Sequence, residues 1–229
     1  IIPSATSDDE TIIKTATYEG VIRKQATFAS GPVTFTSQSL LPAETRMQSD
    51  TNQVYQVLTS GEVRDGEVTV IVQAEEAGEA GNLAAGAVLT LLSPLPGTAS
   101  AGVVAEGGIT GGADTESIAE LLDRLLYVRR NPPVGGALHD YVIWAREVAG
   151  VSRAWAWDAW HGPGTVGLAW LYDDREDIVP TRKDLKTMEQ YLFCHKHPAT
   201  GVMVGKPGGI EVWPVQVRLK KVDLSIRLT

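Results

Sequence analysis

His195 and His197 stand as H-x-H beside Cys194, with His161 elsewhere, and imidazoles with a thiolate are zinc ligands. A zinc site takes three or four ligands in a tetrahedron, and one H-x-H with one cysteine lacks the spacing of the common zinc modules. The expected reading is a helix C-terminus carrying histidines and Lys196, whose charge suits its negative end. Asp173, Asp174, Glu176 and Asp177 offer oxygens to a hard cation, but without the glycine and terminal glutamate of a calcium loop. A solvated strand end leading into a helix start at Thr181 is expected instead. Hydrolysis by paired carboxylates needs them across a cleft, which neighbours in sequence do not show. Gly162-Pro163-Gly164-Thr165-Val166-Gly167 is a literal G-x-G-x-x-G, yet a dinucleotide fingerprint runs strand, turn, helix, and here Thr165 to Tyr172 continues as a strand. A hairpin turn is expected. Ser152 lies in G-V-S-R-A, which lacks the second glycine of a nucleophile elbow. Cys194 next to His195 is adjacency, not an oriented nucleophile and base. No catalytic residue, cofactor site or metal site is therefore expected; a metal-dependent hydrolase using Asp173, Asp174, His195 or His197 stands as the weakest alternative.

The aromatic residues Trp155, Trp157, Trp160, Trp170 and Tyr172 carry a different chemistry, that of recognition. Trp155 and Trp157 share one strand face, and Trp170 and Tyr172 share one on the next, so a hairpin would stack all four into one apolar surface. Covered by helices, the surface is core; uncovered, it is a protein interface or a sugar platform.

These residues need elements to position them. Ile118, Leu121, Leu122, Leu125 and Leu126 form a helical stripe that Asp114 or Thr115 would cap, with Glu116 at its positive end, and Asn131-Pro132-Pro133 stops it. A second helix carries Leu138, Tyr141, Val142, Ala145 and Val148 on one side, with Gly150 as its C′ residue. Val151 to Trp157 and residues 165–172 are strands, 182–194 is a helix with Leu185, Met188 and Leu192 inward, and a last strand starts near 210 and continues through Val222, Leu224, Ile226 and Leu228. Upstream, Ser7 and Glu10 have capping-box spacing for a short helix ended by Gly20. Residues 33–36, 54–58, 68–72 and 88–92 are β-branched or apolar runs between turn residues. The fold class expected is α+β: an N-terminal helical arm (1–26), a β-rich domain (27–108), and an α/β domain (109–229) with helices covering a mixed or antiparallel sheet. The start at Ile1 and the strand pattern still running at the end read as a piece of a longer polypeptide.

The composition excludes several classes. A net charge of −8 and a pI near 5.0 argue against nucleic acid as the main partner. There is no apolar run of membrane-spanning length and no signal peptide, so no membrane partner is expected. One cysteine cannot form an internal disulfide, which suits folding in a reducing cytoplasm.

Six segments occur in a fixed order over residues 74–181: A-E-E-A-G-E-A-G-N-L-A-A-G (74–86), L-T-L-L-S-P-L-P-G (89–97), G-G-A-D-T-E-S (111–117), N-P-P-V-G-G-A-L-H-D-Y-V-I-W-A (131–145), V-A-G-V-S-R-A-W (148–155) and W-L-Y-D-D-R-E-D-I-V-P-T (170–181). Their order and spacing resemble the baseplate J-like family of contractile phage tails, in particular the baseplate assembly proteins of Mu-like phages and prophages. The resemblance implies a non-enzymatic structural subunit in wedges around a central hub. Its implied partners are other baseplate proteins and further copies of itself, its location the virion tail baseplate, assembled in the host bacterial cytoplasm. An isolated fragment is expected as a monomer, because an open ring needs partners and concentration. Gly111, Gly112, Gly135 and Gly136 are candidate hinges, with tight turns as the competing explanation. The alternative function is a carbohydrate- or receptor-binding tail module using exposed tryptophans.

Overall fold

The computed structural model describes residues 3–4, 6–175 and 177–220. Helix α1 (Asp9–Tyr18) is capped by Asp8, which accepts from the Thr11 amide at 2.8 Å, one residue later than the Ser7 cap expected from spacing; the Ser7 hydroxyl accepts from the Ser4 amide instead. Gly20 follows the helix at φ +82°, as a C′ glycine should.

Strands β1 (Ser30–Ser37), β2 (Arg46–Gln48), β3 (Val54–Val57), β5 (Glu67–Ala74), β6 (Val88–Leu91) and β7 (Thr98–Val104) close in the cyclic order β1-β7-β6-β2-β3-β5, every pair antiparallel. Strand β4 (Val63–Arg64) extends β5 as a hairpin. Alternation explains the closure: Val68, Val70, Val72 and Ala74 point inward from β5, and Val33 and Phe35 from β1. The Tyr55 hydroxyl donates to the Gly81 carbonyl at 2.9 Å inside the barrel, and burial pushes its pKa up to about 12.

Residues 105–117 run back along the barrel. Leu83 and Ile109 exchange backbone hydrogen bonds, the Thr27 amide donates to Ala113, and the Asn82 side chain brackets Gly112 through both its amide and carbonyl. Helix α2 (Ile118–Arg130) then starts from a capping box of Ser117 and Glu120, not from Asp114 or Thr115. Leu121, Leu122 and Leu125 bury the expected stripe against Ile12, Ala16 and Val21, so α1 lies against α2, where Arg129 also binds Glu19.

Helix α3 (Leu138–Glu147) ends at Val148, which puts Gly150 one position beyond C′. Strands β8 (Arg153–Asp158), β9 (Thr165–Leu171) and β12 (Glu211–Pro214) form a mixed sheet in the order β12-β9-β8, β8 antiparallel and β12 parallel to β9. One face carries Val166, Leu168 and Trp170, with Tyr172 just beyond; α3 and α4 (Arg182–Phe193) cover it through Tyr141, Ala145, Met188 and Leu192. The architecture is thus α+β, with helices over a mixed sheet. Leu138 and Leu185 lie at the rim rather than inside. Thr181 and Asp184 cap α4. A small hairpin, β10 (His195–Lys196) with β11 (Met203–Val204), precedes β12. The last strand stops at Pro214; Val222, Leu224, Ile226 and Leu228 lie outside the described residues.

Lys183 joins barrel to sheet. Its ammonium donates to the Ser30 and Thr110 carbonyls at 2.6 Å each and to the Ser30 hydroxyl at 3.0 Å.

Candidate aromatic interface

The pairing register divides the sequence's aromatic group in two. Trp155 lies opposite Ala169 and Trp157 opposite Gly167, while Trp170 lies opposite Ala154. Opposed residues share a face, so Trp155 and Trp157 are on the outer side of the sheet and Trp170 with Tyr172 on the inner side. The single four-ring surface expected from the sequence does not form: Trp170 and Tyr172 are core, their rings linked by an Nε1-to-hydroxyl contact of 3.3 Å. A one-residue difference in register exchanges faces, and the hairpin loop sets that register.

What stands outside is an aromatic strip. Trp213 of β12 pairs with Gly167, giving the row Trp157, Gly167, Trp213 across the three strands. The Trp160 ring lies over Gly167, at 2.8 Å from where a Cβ would sit. Trp157 and Trp160 centroids are 5.8 Å apart, and His161 bridges them to Trp213, 6.2 Å from Trp160 and 4.6 Å from Trp213. Trp155, Trp157, Trp160 and Trp213 are each 40–43% exposed. Arg153 crosses the Trp155 ring at 5.8 Å while its guanidinium is held by Asp173, Nε to Oδ2 at 2.7 Å. Trp213 was absent from the sequence's aromatic group because its four-residue strand gives no local sign of lying beside β9.

The residues with chemical potential are used structurally. Gly162 and Gly164, at φ +111° and +81°, turn the β8–β9 hairpin, and no helix follows to receive a phosphate. Asp173 is paired to Arg153, and its backbone amide donates to the Ser152 hydroxyl; Asp177 accepts from the Val179 amide; Glu176 lies outside the described residues. His195 stacks on Tyr191 at 3.6 Å and sets Nδ1 2.7 Å from the Tyr191 carbonyl in the last turn of α4. His197 Nδ1 accepts from the Ala199 amide, and Cys194 is exposed. Among the described residues no three His, Cys, Asp or Glu side chains gather as a metal site, and no helix is long and apolar enough to cross a membrane.

Of the four candidate hinge glycines, Gly112 is closely packed, whereas Gly135 has open space where a Cβ would sit. A Cβ on Gly112 would lie 2.3 Å from the Gly78 carbonyl, and the Gly111 carbonyl accepts from Thr27. Gly135 and Gly136 take φ +86° and +142° in a loop whose Gly136 amide donates to Asp140 at 2.6 Å.

Behind the sheet, Glu147 accepts from the Tyr191 hydroxyl at 2.9 Å. Burial pushes its carboxyl above the ordinary 4.5, against the lowering effect of that hydrogen bond. A raised folded pKa means that ionisation costs stability once pH exceeds the unfolded value. Glu147→Gln keeps an acceptor for Tyr191 and removes that cost, so thermal melts should place the variant above wild type at about pH 8 and level with it at about pH 4.

Comparison with known proteins adds the following. Residues 32–112 match a family model described as the baseplate J-like protein barrel domain, and residues 133–216 match the baseplate J-like central domain. Over its whole length the chain is 41% identical to the baseplate protein gp47 of Escherichia phage Mu and 40% identical to the Mu-like prophage FluMu protein gp47 of Haemophilus influenzae. It spans 64% of the length of each of these curated relatives. A chain in the cryo-EM structure of the anti-feeding prophage (AFP) baseplate, 6-fold symmetrised, aligns at a TM-score of 0.45 with 12% identity, covering 78% of this chain and 57% of that one.

Proposed function

The chain belongs to the baseplate J-like family, and from that premise we propose that it is a structural, non-catalytic part of a contractile-tail baseplate, working through protein–protein contacts with other baseplate proteins and further copies of itself. Its place would be the virion tail, after assembly in the host cytoplasm. The observation that carries the reading is the outer strip of Trp155, Trp157, Trp160 and Trp213, large apolar rings held in place by the sheet yet left open to solvent. Partly covered tryptophans beside an arginine are the composition of an interface hot spot. The sugar-platform alternative is weaker, because Trp157 and Trp160 are tilted 44° to one another and His161 stands edge-on between Trp160 and Trp213, leaving no flat shelf.

The seam between barrel and sheet, tied by Lys183 and by the bracketed Gly111–Gly112 segment, supports a unit that moves as one. Baseplate rearrangement would then change contacts at outer surfaces, not bend the chain at its glycines.

The test is co-purification of the full-length protein with its baseplate neighbours. Trp157→Ala and Trp213→Ala should each weaken capture by roughly 30-fold, about 2 kcal/mol at a hot spot. Capture at wild-type strength by both variants would remove the strip from the interface, and a full-length protein that binds no neighbour would remove the function.

A further inference from the structure

We propose that the free edge of β8 receives an extended segment of a neighbouring baseplate protein as a fourth strand of the sheet, with uncharged side chains turned toward α2 and α3. The proposal rests on the assembly reading and supplies one mode of contact for it.

Backbone direction is the first observation. The Glu211 and Val215 amides donate to the Gly164 and Leu168 carbonyls, so even-numbered residues of β9 turn their peptide groups toward β12 and odd-numbered ones toward β8. Ala169 and Gly167 therefore exchange hydrogen bonds with Trp155 and Trp157, their partners in register. The amides and carbonyls of Ala154 and Ala156 point the other way, off the sheet. Among the described residues no backbone group bonds to them.

The second observation is that this edge is undefended. Natural sheets blunt their edges with proline, very short strands or free charges. The opposite edge follows that rule: β12 is four residues long and turns Val212 and Pro214 outward, and proline has no amide to offer. Strand β8 has six residues, with no proline or glycine, and its Arg153 is held by Asp173.

The third is the space beside it. An open groove of about 570 Å³ runs between β8 and the helices, walled by Tyr127 of α2 and by Leu138 and Val142 of α3. Ala154 and Ala156, the residues whose peptide groups are free, carry the smallest side chains on that inner face and leave the groove open to the strand edge. The charges in the groove are already matched: Arg146 binds Asp123, Arg153 binds Asp173, and His139 lies against Asp140 and the Pro132 carbonyl. A charged side chain entering there would find no counter-ion, which selects a segment apolar or neutral on its inward face. Its outward side chains would stand beside Trp155 and Trp157, so the added strand continues the aromatic strip.

The test is amide hydrogen exchange, read residue by residue in the isolated chain and, after quenching and dissociation, in assembled tails. In the isolated chain the Ala154 and Ala156 amides should exchange at least about 100-fold faster than those of Trp155 and Trp157, which β9 protects. Assembly should slow Ala154 and Ala156 by about tenfold or more. A substitution checks the same claim. Ala156→Pro deletes an amide that β9 does not use, so the isolated chain should melt as wild type does. In the full-length protein it should weaken capture by baseplate neighbours about tenfold or more, whereas Ala156→Ser, which keeps the amide, should bind as wild type does. If Ala156→Pro melts lower, exchange in the wild type decides alone. Fast exchange at Ala154 and Ala156 in assembled tails whose Trp157 is shielded would overturn strand addition and leave the assembly reading standing, as would equal capture of Ala156→Pro and wild type. Protection appearing in the isolated chain as its concentration is raised would seat a second copy on the edge and overturn the choice of partner.

Discussion

Glu116→Ala should cost the fold about 3–5 kcal/mol, the usual penalty for removing one member of a buried ion cluster and stranding the others. The Glu116 side chain is fully buried, with Oε1 2.7 Å from Arg124 Nε and 3.7 Å from Lys24 Nζ, and Oε2 accepting from the Lys24 amide at 3.1 Å. The cations it balances reach further: Lys24 Nζ donates to the Val151 carbonyl, and Arg124 to the Ile22 carbonyl. One carboxylate thus ties the segment after α1, the approach to α2, α2 itself and the entry to β8. Burial pulls the Lys24 amine down to about 8, with Glu116 opposing. Without Glu116 the amine gives up its proton at still lower pH, so the penalty should shrink as pH rises through about 8. Chemical denaturation at about pH 6 and pH 9 checks both the size and the sign. A loss under 1 kcal/mol at the lower pH would mean the cluster is not charged as described.

Asp140→Ala should cost roughly 3 kcal/mol, since a carboxylate serving several backbone donors is lost and those donors stay partly buried. Asp140 is fully buried, and it accepts from the amides of Val134, Gly136 and Ala137 at 3.2, 2.6 and 2.9 Å. It is the residue that shapes the N-P-P-V-G-G-A-L-H-D run into a loop and starts α3. Burial pushes its carboxyl up, but the amides of Gly136, Val134 and Ala137 outweigh that and hold it below 3.8. Its stabilisation is therefore complete above about 3.8 and disappears as pH falls through the lower folded value. Asp140→Asn, which keeps one acceptor, should lose about half as much. Equal melting temperatures for Asp140→Ala and wild type would contradict this account of the loop.

What was legible in the sequence was local. The Thr181–Asp184 cap, the Leu121–Leu125 stripe and the alternation of Arg153 to Trp157 each depend on residues within a turn or a pleat of one another, and each appears where spacing put it. Long-range facts were not legible. Glu116 reads as a helix-start charge until Lys24, far away in sequence, is brought against it. Strand β7 carries no local signal because Thr98 to Gly102 is small and weakly apolar; its Gly102 has no side chain because the Phe35 ring occupies the space, 2.5 Å from a notional Cβ. Alternation places Trp155, Trp157 and Trp170 on strands but does not say that the first two face away from the third, because register across a hairpin is a property of the turn and not of either strand. Trp213 entered the strip only through a parallel partner more than forty residues earlier.

The most direct test of the central claim is an oxidative footprint of the tryptophans in the isolated chain and in assembled tails. Trp157 and Trp213 should react readily in the isolated chain and be protected on assembly, with Trp170 unreactive in both. Trp157 and Trp213 reacting equally in the assembled tail would show the outer strip still facing solvent, and the claim that this face is a baseplate interface would fail.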